Sequence, residues 1–179
     1  MRQPKKNYLL VVAIGERDER HHLNLAQFAG HMGCTIEQSH IAVLGQGYTA
    51  NFLLSGNWGA IAKFEAALPH FQQKHALKIL TQRTEQTDHS QTAMHYYAQI
   101  IAYQNPEHIE HVMGFFLEQE ISILELSSLN YTSQHTQSHL FSMTLTVQVP
   151  EDHSLSDLRE QFMIFCDELN IDGILEAEN

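Results

Sequence analysis

The residues with the clearest chemical potential form a short charged segment that follows an apolar run. The segment comprises Gly15, Glu16, Arg17, Asp18, Glu19 and Arg20. If a helix begins here, its first backbone N–H groups lack partners within the helix and attract an anion. A glycine lets a ligand approach the backbone closely, and an arginine can hold a carboxylate through two parallel hydrogen bonds. The segment is therefore a candidate binding site for a carboxylate, with a solvated loop as the alternative.

A shorter polar segment in the second half of the chain also precedes a predicted helix. It comprises Asn105, Pro106 and Glu107. Asn is favoured just before a helix and Pro in its first position, so ordinary helix capping explains the segment without a ligand. The Glu107 carboxylate would also compete with an anionic ligand for the positive end of the helix dipole. These residues form a second candidate ligand site, with capping as the alternative.

Thirteen histidines and two cysteines raise the question of a metal site. The histidine groupings are His21 with His22, His108 with His111, and His135 with His139. None belongs to a metal motif such as His-Glu-x-x-His, and neither cysteine has a second one at ligand spacing. We expect surface or partly packed imidazoles, and we expect Cys34 and Cys166 to be small buried hydrophobic residues. Nucleophile–base pairs and nucleotide-binding loops are not recognisable either, so the sequence predicts no catalytic site, metal or cofactor.

The charge balance narrows the classes of partner. There are 21 acidic and 10 basic residues, which gives a net charge of −11 with neutral histidines. Nucleic-acid affinity depends on Lys and Arg side chains that neutralise phosphates, so direct nucleic-acid binding is not expected. The sequence has neither an apolar run of bilayer length nor a secretory signal, and its cysteine usage is typical of a reducing compartment. We expect a cytoplasmic protein that does not associate with membranes.

Each half of the chain carries two helical patterns of apolar residues. The patterns are Leu25, Phe28, Ala29 and Met32; Ile61, Phe64, Leu68 and Phe71; Ile109, Val112, Met113 and Phe116; and Leu155, Leu158, Phe162 and Phe165. Strand-like segments surround them at Tyr8–Gly15, Cys34–Leu44, Tyr48–Ser55, Ala76–Thr81, Met94–Tyr103, Ile121–Tyr131, His139–Val149 and Ile171–Glu176. The segment His139–Val149 alternates apolar and polar residues, so one face of that strand is buried.

The order of elements in each half predicts the fold. Strand, helix, strand, strand, helix, strand is the ferredoxin-like βαββαβ arrangement. We therefore predict an α+β protein of two tandem domains, each an antiparallel sheet with helices on one face. The first domain covers residues 1–84 and the second covers residues 93–179. Residues 85–92 lack aliphatic side chains and form the predicted linker.

Four segments carry a resemblance to a known family. They are Cys34–Ser39, Ala42–Gly45, Leu53–Ile61 and Cys166–Asn170. The third has the sequence Leu-Leu-Ser-Gly-Asn-Trp-Gly-Ala-Ile. In these segments the chain resembles ACT domains, and more narrowly the glycine cleavage system transcriptional repressor family. ACT domains commonly carry Gly-x-Asp-Arg-Pro-Gly ahead of their first helix. Here Gly15 is kept, Asp and Arg are exchanged in order, and Glu19 and Arg20 replace Pro and Gly.

The resemblance implies a non-catalytic regulator rather than an enzyme. It implies repression of the glycine cleavage operon through contact with a DNA-binding activator protein, with glycine or another amino acid as effector. It also implies a homodimer, because ACT domains usually pair their sheets or pack side by side. A ligand-insensitive ACT scaffold that works by oligomerisation or partner contact is the alternative that the missing glycines favour. An RNA-binding module shares the βαββαβ order, but the sequence lacks the basic, aromatic sheet motif that it needs.

Overall fold

The strands and helices follow the predicted order in both halves of the chain. They are seen in a computed structural model that describes residues 6–85 and 94–177. The first half contains β1 (Asn7–Glu16), α1 (Arg20–His31), β2 (Thr35–Leu44), β3 (Gly47–Gly56), α2 (Trp58–His75) and β4 (Lys78–Thr84). The second half contains β5 (Met94–Tyr103), α3 (His108–Glu118), β6 (Ser122–Thr132), β7 (His139–Val149), α4 (Leu155–Leu169) and β8 (Asp172–Ala177).

Each half forms a compact unit with its own core. The first unit lies within residues 1–88 and the second within residues 89–179. The finer limits expected from the sequence, residues 1–84 and 93–179, stay a prediction. The predicted linker, residues 85–92, falls outside the described residues except for Glu85.

Each unit is built on one four-stranded antiparallel sheet. The strand orders are β2-β3-β1-β4 and β6-β7-β5-β8. In the first sheet Val11 of β1 lies opposite Phe52 of β3 on one side and Thr81 of β4 on the other. A tight turn at Gly45, whose φ of 61° favours glycine, joins β2 to β3. The chain therefore has the predicted fold of two tandem ferredoxin-like βαββαβ units with helices on one face of each sheet.

The helices cover only one face of each sheet, and this determines which apolar side chains are buried. Leu9, Val11 and Ala13 of β1 are at most 1% exposed, because they point toward the helices. Leu10 and Ile14, which alternate with them, are 37% and 45% exposed. An uninterrupted apolar run thus supplies one covered face and one open apolar face of the same strand.

The apolar helical patterns face the two cores, with one exception. All four residues of the α2 pattern are buried. In α3, Val112 and Phe116 are buried and Met113 packs partly against the core. Ile109 is instead 37% exposed, and the neighbouring His108 is buried. The pattern places the helix correctly, but the helix is rotated so that its first buried contact is a histidine.

The two cysteines are buried, one in the core of each unit. Cys34 and Cys166 are unpaired and buried, as predicted. Burial raises the pKa of both thiols, to about 11 for Cys166 beside Asp167 and Asp172, so they stay protonated at neutral pH. Within residues 6–85 and 94–177, helices of the length and apolar character needed to cross a bilayer do not occur.

The substitution Gly173→Ala tests the packing of the second core. A Cβ atom at Gly173 would collide with Cys166 Sγ and lie 3.0–3.1 Å from the Phe162 ring. We expect it to lower the free energy of unfolding by about 1–3 kcal/mol, measured by urea denaturation. Gly114→Ala in α3 is the matched control, since a Cβ there meets nothing within 4 Å. The control should gain about 0.4–1 kcal/mol, and equal stability of the two variants would contradict the packing described.

Candidate functional site

The charged segment predicted from the sequence is the connection between β1 and α1. The Arg17 backbone N–H donates to the Gln46 carbonyl at 3.1 Å, which ties the connection to the β2–β3 turn. The His21 N–H donates to the Asp18 carbonyl at 3.1 Å as α1 begins. The side chains of Arg17, Glu19 and Arg20 are exposed, and Asp18 is intermediate. The structure thus places the predicted charged residues together at a helix N-terminus.

The Asp18 carboxylate occupies the place that an anionic ligand would take at this helix end. Its Oδ1 accepts the Arg20 backbone N–H at 2.9 Å. The Arg20 guanidinium donates to both Asp18 oxygens at 3.3 Å, from Nε and Nη2. The backbone N–H and the guanidinium both lower the pKa of the Asp18 carboxyl. A carboxylate from within the chain therefore neutralises the helix end and one of the two arginines.

Gly15 is needed for packing between β1 and the segment that precedes β4. A Cβ atom at this position would lie 2.5 Å from Leu77 Cδ2, 3.6 Å from the Ala76 carbonyl oxygen and 3.7 Å from His21 Nε2. The space above the glycine is therefore filled by Leu77 and His21 side chains. A ligand that contacts the Gly15 backbone would have to displace the Leu77 side chain.

The second unit repeats this construction 87 residues later. Asn105 stands at the position of Asp18, and its Oδ1 accepts the Glu107 backbone N–H at 3.0 Å. The His108 N–H donates to the Asn105 carbonyl at 3.3 Å. Helix α3 begins at His108, so Asn105 and Pro106 lie in the turn before it rather than at the N-cap and first helical position. The Asn105 side chain nevertheless serves the capping function that its residue type predicts.

A buried histidine follows each of these turns, and sequence reasoning missed both. His21 is 8% exposed and His108 is 6% exposed, so the expectation of surface or partly packed imidazoles is wrong for these two. The His21 ring lies 5.4 Å from the Tyr48 ring, and the His108 ring lies 5.6 Å from the Phe141 ring. An Asp or Asn followed three residues later by His occurs in both halves, as Asp18 with His21 and Asn105 with His108, 87 residues apart. This repeat is the sequence signal that could have identified the two buried histidines.

Several polar atoms of these histidine sites are buried without a protein partner. His108 Nε2 donates to the Tyr103 carbonyl at 3.0 Å, which leaves Nδ1 as an acceptor. Among the residues that the structure describes, His21 Nδ1, His108 Nδ1 and Tyr48 Oη have no hydrogen-bond partner. Burial also raises the pKa of Tyr48. These three atoms are therefore exceptions to the rule that buried polar groups are hydrogen-bonded.

Binding of a metal ion requires a group of ligating side chains that lie close to one another. Across the described parts of the chain, groups of three or more His, Cys, Asp or Glu side chains suited to a metal ion are not found. The two cysteines lie in separate cores.

The first unit matches the model of a known domain family. Residues 7–82 match the family model of the ACT domain, and this range contains all of β1 through α2 and most of β4. The second unit has the same strand order and the same helix-capping turn. The first unit therefore matches the ACT-domain family, and the second unit shares its topology. The first unit carries the altered Gly15–Arg20 segment, and the second carries the Asn105–Glu107 turn.

Similar proteins extend the relationship to the whole chain. The glycine cleavage system transcriptional repressor of Escherichia coli (strain K12) is 26% identical over 174 residues, which cover 97% of this chain and 92% of the relative. The repressor of the same description from Shigella flexneri has the same identity and coverage. This similarity supports a regulatory role for the chain.

Solved structures agree with this relationship. A crystal structure assigned to a glycine cleavage system transcriptional repressor has a TM-score of 0.76 and 25% identity, and the match covers 97% of this chain and 98% of that one. A protein from Galdieria sulphuraria has a TM-score of 0.75 at 18% identity, with 98% and 100% of the two chains covered. The second likeness concerns the fold alone.

The ionisation of Asp18 tests the arrangement at the first ACT domain. We expect an NMR titration of its carboxyl carbon to have a midpoint below the usual Asp value of about 3.9. Arg20→Gln should move the midpoint partly back, because the backbone N–H remains. Since the pKa is lower in the folded than in the unfolded state, the stabilisation is present above about pH 3.9 and is lost as the pH falls through the folded-state value. A midpoint at or above the usual value in the wild type would contradict the contacts described.

Proposed function

We propose that this protein is a non-catalytic transcriptional co-regulator, a repressor of glycine cleavage or related amino-acid metabolism in the cytoplasm. The similarity to glycine cleavage system transcriptional repressors over 97% of the chain carries the proposal. The net charge of −11 supports action through a protein partner, since phosphate contacts require basic side chains. A DNA-binding activator protein is the partner that we propose, and the protein does not contact nucleic acid itself.

The β1–α1 connection of the first ACT domain is the proposed effector site. It combines a helix N-terminus with two exposed arginines, Arg17 and Arg20. An amino-acid carboxylate reaching this end would compete with the Asp18 carboxylate for the helix N–H and the Arg20 guanidinium. Arg17 has no ion pair within the described residues, so it is ready to receive the ligand carboxylate. Glycine or another small amino acid fits a site whose remaining space is limited by Leu77 and His21.

The Asp18–Arg20 pair also favours a second candidate function. If the Asp18 carboxylate stays bound to the start of α1, that helix end cannot bind an anion. The start of α3 is capped by Asn105 in the same manner, so it offers no anion site either. The protein would then be a ligand-insensitive ACT scaffold that acts by oligomerisation or partner contact. The two functions differ in whether the folded protein binds an amino acid, and a binding measurement separates them.

A thermal-unfolding titration with glycine, serine and the other amino acids tests the effector. A ligand at about 100 times its dissociation constant should add about 2.7 kcal/mol to the unfolding free energy. For a protein of this size the melting temperature rises by about 2–4 °C per kcal/mol. The double variant Arg17→Ala and Arg20→Ala should abolish the rise. Arg83→Ala is the control, because Arg83 is an exposed arginine that pairs with Glu65 away from this loop.

The outcomes of this titration assign the function. A shift with one amino acid that the double variant loses and the control keeps supports an effector-controlled repressor. A shift that survives the double variant excludes the proposed site. If the wild type shows no shift with any amino acid, the scaffold function replaces the effector-controlled one.

The open face of the first sheet is the proposed contact between two copies of the chain. Leu10 lies opposite Leu53, and Val12 lies opposite Leu80, so these four side chains form one apolar patch. Leu10 is 37% exposed and Leu80 is 69% exposed. Burial of such a patch against its copy would stabilise a homodimer by the hydrophobic effect.

Leu80→Lys tests the proposed homodimer. We expect sedimentation analysis to show a dimer for the wild type and at least about tenfold weaker association for the variant, since losing a buried Leu costs about 1.5–3 kcal/mol. Leu23→Lys in α1 is the matched control, because Leu23 is 56% exposed on the helical side. A monomeric wild type, or equal association of wild type and variant, would rule out this contact.

A further inference from the structure

A groove between α1 and α2 of the first ACT domain is separate from the proposed effector site. Its volume is about 350 Å³, and residues from the middle and C-terminal turns of both helices line it. This volume lies within the range of small-molecule sites, about 300–1,000 Å³. The groove opens on the helical side of the unit, whereas the proposed dimer contact is on the open face of the sheet.

Three aromatic rings pack against one another along the groove. The ring centroids of Phe28 and Phe71 are 4.4 Å apart at an angle of 20°. The centroids of Phe71 and His75 are also 4.4 Å apart, at an angle of 38°. All three side chains line the groove. Phe71 is 6% exposed and packs between the other two rings, so the partly exposed Phe28 and His75 rings are the aromatic surface that would receive a flat, unsaturated ligand.

The charges around the groove are unlike those of the chain as a whole. The titratable residues that line it are His31, His70, Lys74 and His75. None of the described lining residues is Asp or Glu, although acidic residues outnumber Lys and Arg by 21 to 10 in the chain. With the Lys74 ammonium in its lining, the groove favours an anion over a cation, and the Asp18 carboxylate acts on its His75 end from outside the lining.

A hydrogen bond fixes which nitrogen of the His75 ring carries the hydrogen. Asn24 Nδ2 lies 3.3 Å from His75 Nδ1. Because the amide nitrogen can only donate, Nδ1 of the neutral ring accepts and the ring hydrogen is on Nε2. Desolvation and the Lys74 charge lower the pKa of His75, so the ring is neutral at pH 7. His75 therefore supplies a neutral N–H donor, and the Lys74 ammonium supplies the positive charge.

We propose that this groove binds a small organic anion with a flat, unsaturated ring system. The ring packs on the partly exposed Phe28 and His75 side chains, and the anionic group lies at the Lys74 end. This ligand differs from the proposed amino-acid effector in chemistry and in place. The groove is therefore a second sensory site on the first ACT domain, lined by residues outside the Gly15–Arg20 segment, and the Asp18 charge of that segment acts on its His75 end.

Binding of 2-naphthoate to the full chain, followed by NMR chemical shifts of backbone amides, tests the proposal. We expect saturable shifts confined to α1 and α2 around the groove. The amine 2-naphthylmethylamine and the ringless anion acetate should produce none. Lys74→Gln should weaken 2-naphthoate binding by about fivefold, the upper range for an exposed ion pair. Lys63→Gln is the matched control, because Lys63 is exposed on the same helix and does not line the groove.

Three results would overturn the proposal. They are the absence of saturable shifts at the groove, equal binding of the amine, and unchanged affinity in Lys74→Gln. Glycine added to saturation should not displace 2-naphthoate. Arg17→Ala should leave 2-naphthoate binding unchanged, so failure of the effector proposal is distinguishable from failure of this one.

Discussion

The side chain of an Asx residue controls how each unit passes from its central strand into its first helix. Asp18 and Asn105 each accept the backbone N–H two residues later, and this bond sets where α1 and α3 begin. The following histidine then falls on the covered face of the sheet, where its ring meets Tyr48 or Phe141. The position of the helix over the sheet, and so the shape of the candidate site, depends on this local hydrogen bond.

The same bond gives the two units different electrostatic properties. Asn105 caps its turn as a neutral amide, whereas Asp18 brings a full negative charge that Arg20 partly neutralises. In the first unit a charged ligand thus meets an anion already bound to the helix end, with Arg17 exposed beside it. The first unit thus contains the Asp18-capped loop, an open apolar sheet face and a groove lined by aromatic and basic side chains. We propose that these are recognition surfaces, a role that agrees with the similarity to repressors.

The architecture was predictable because it depends on periodic apolar residues. The alternation within His139–Val149 and the spacing of Ile61, Phe64, Leu68 and Phe71 both led to the observed elements. The site was less predictable, since it depends on which rings and carboxylates meet across the sheet. The sequence placed Asp18 and Arg20 in one loop, but their pairing and the filling of Gly15 by Leu77 require tertiary contacts. The buried His108 was missed because helix rotation, which exposes Ile109, is set by packing rather than by spacing.

Calorimetric titration of glycine into the wild type and into Asp18→Asn tests most directly whether an internal carboxylate controls the effector site. Asparagine should retain the helix cap, as Asn105 does in the second unit, while removing the charge and releasing the Arg20 guanidinium. The account predicts tighter glycine binding by Asp18→Asn than by the wild type. Equal or weaker binding by the variant would show that Asp18 does not compete with the ligand, and would contradict the account.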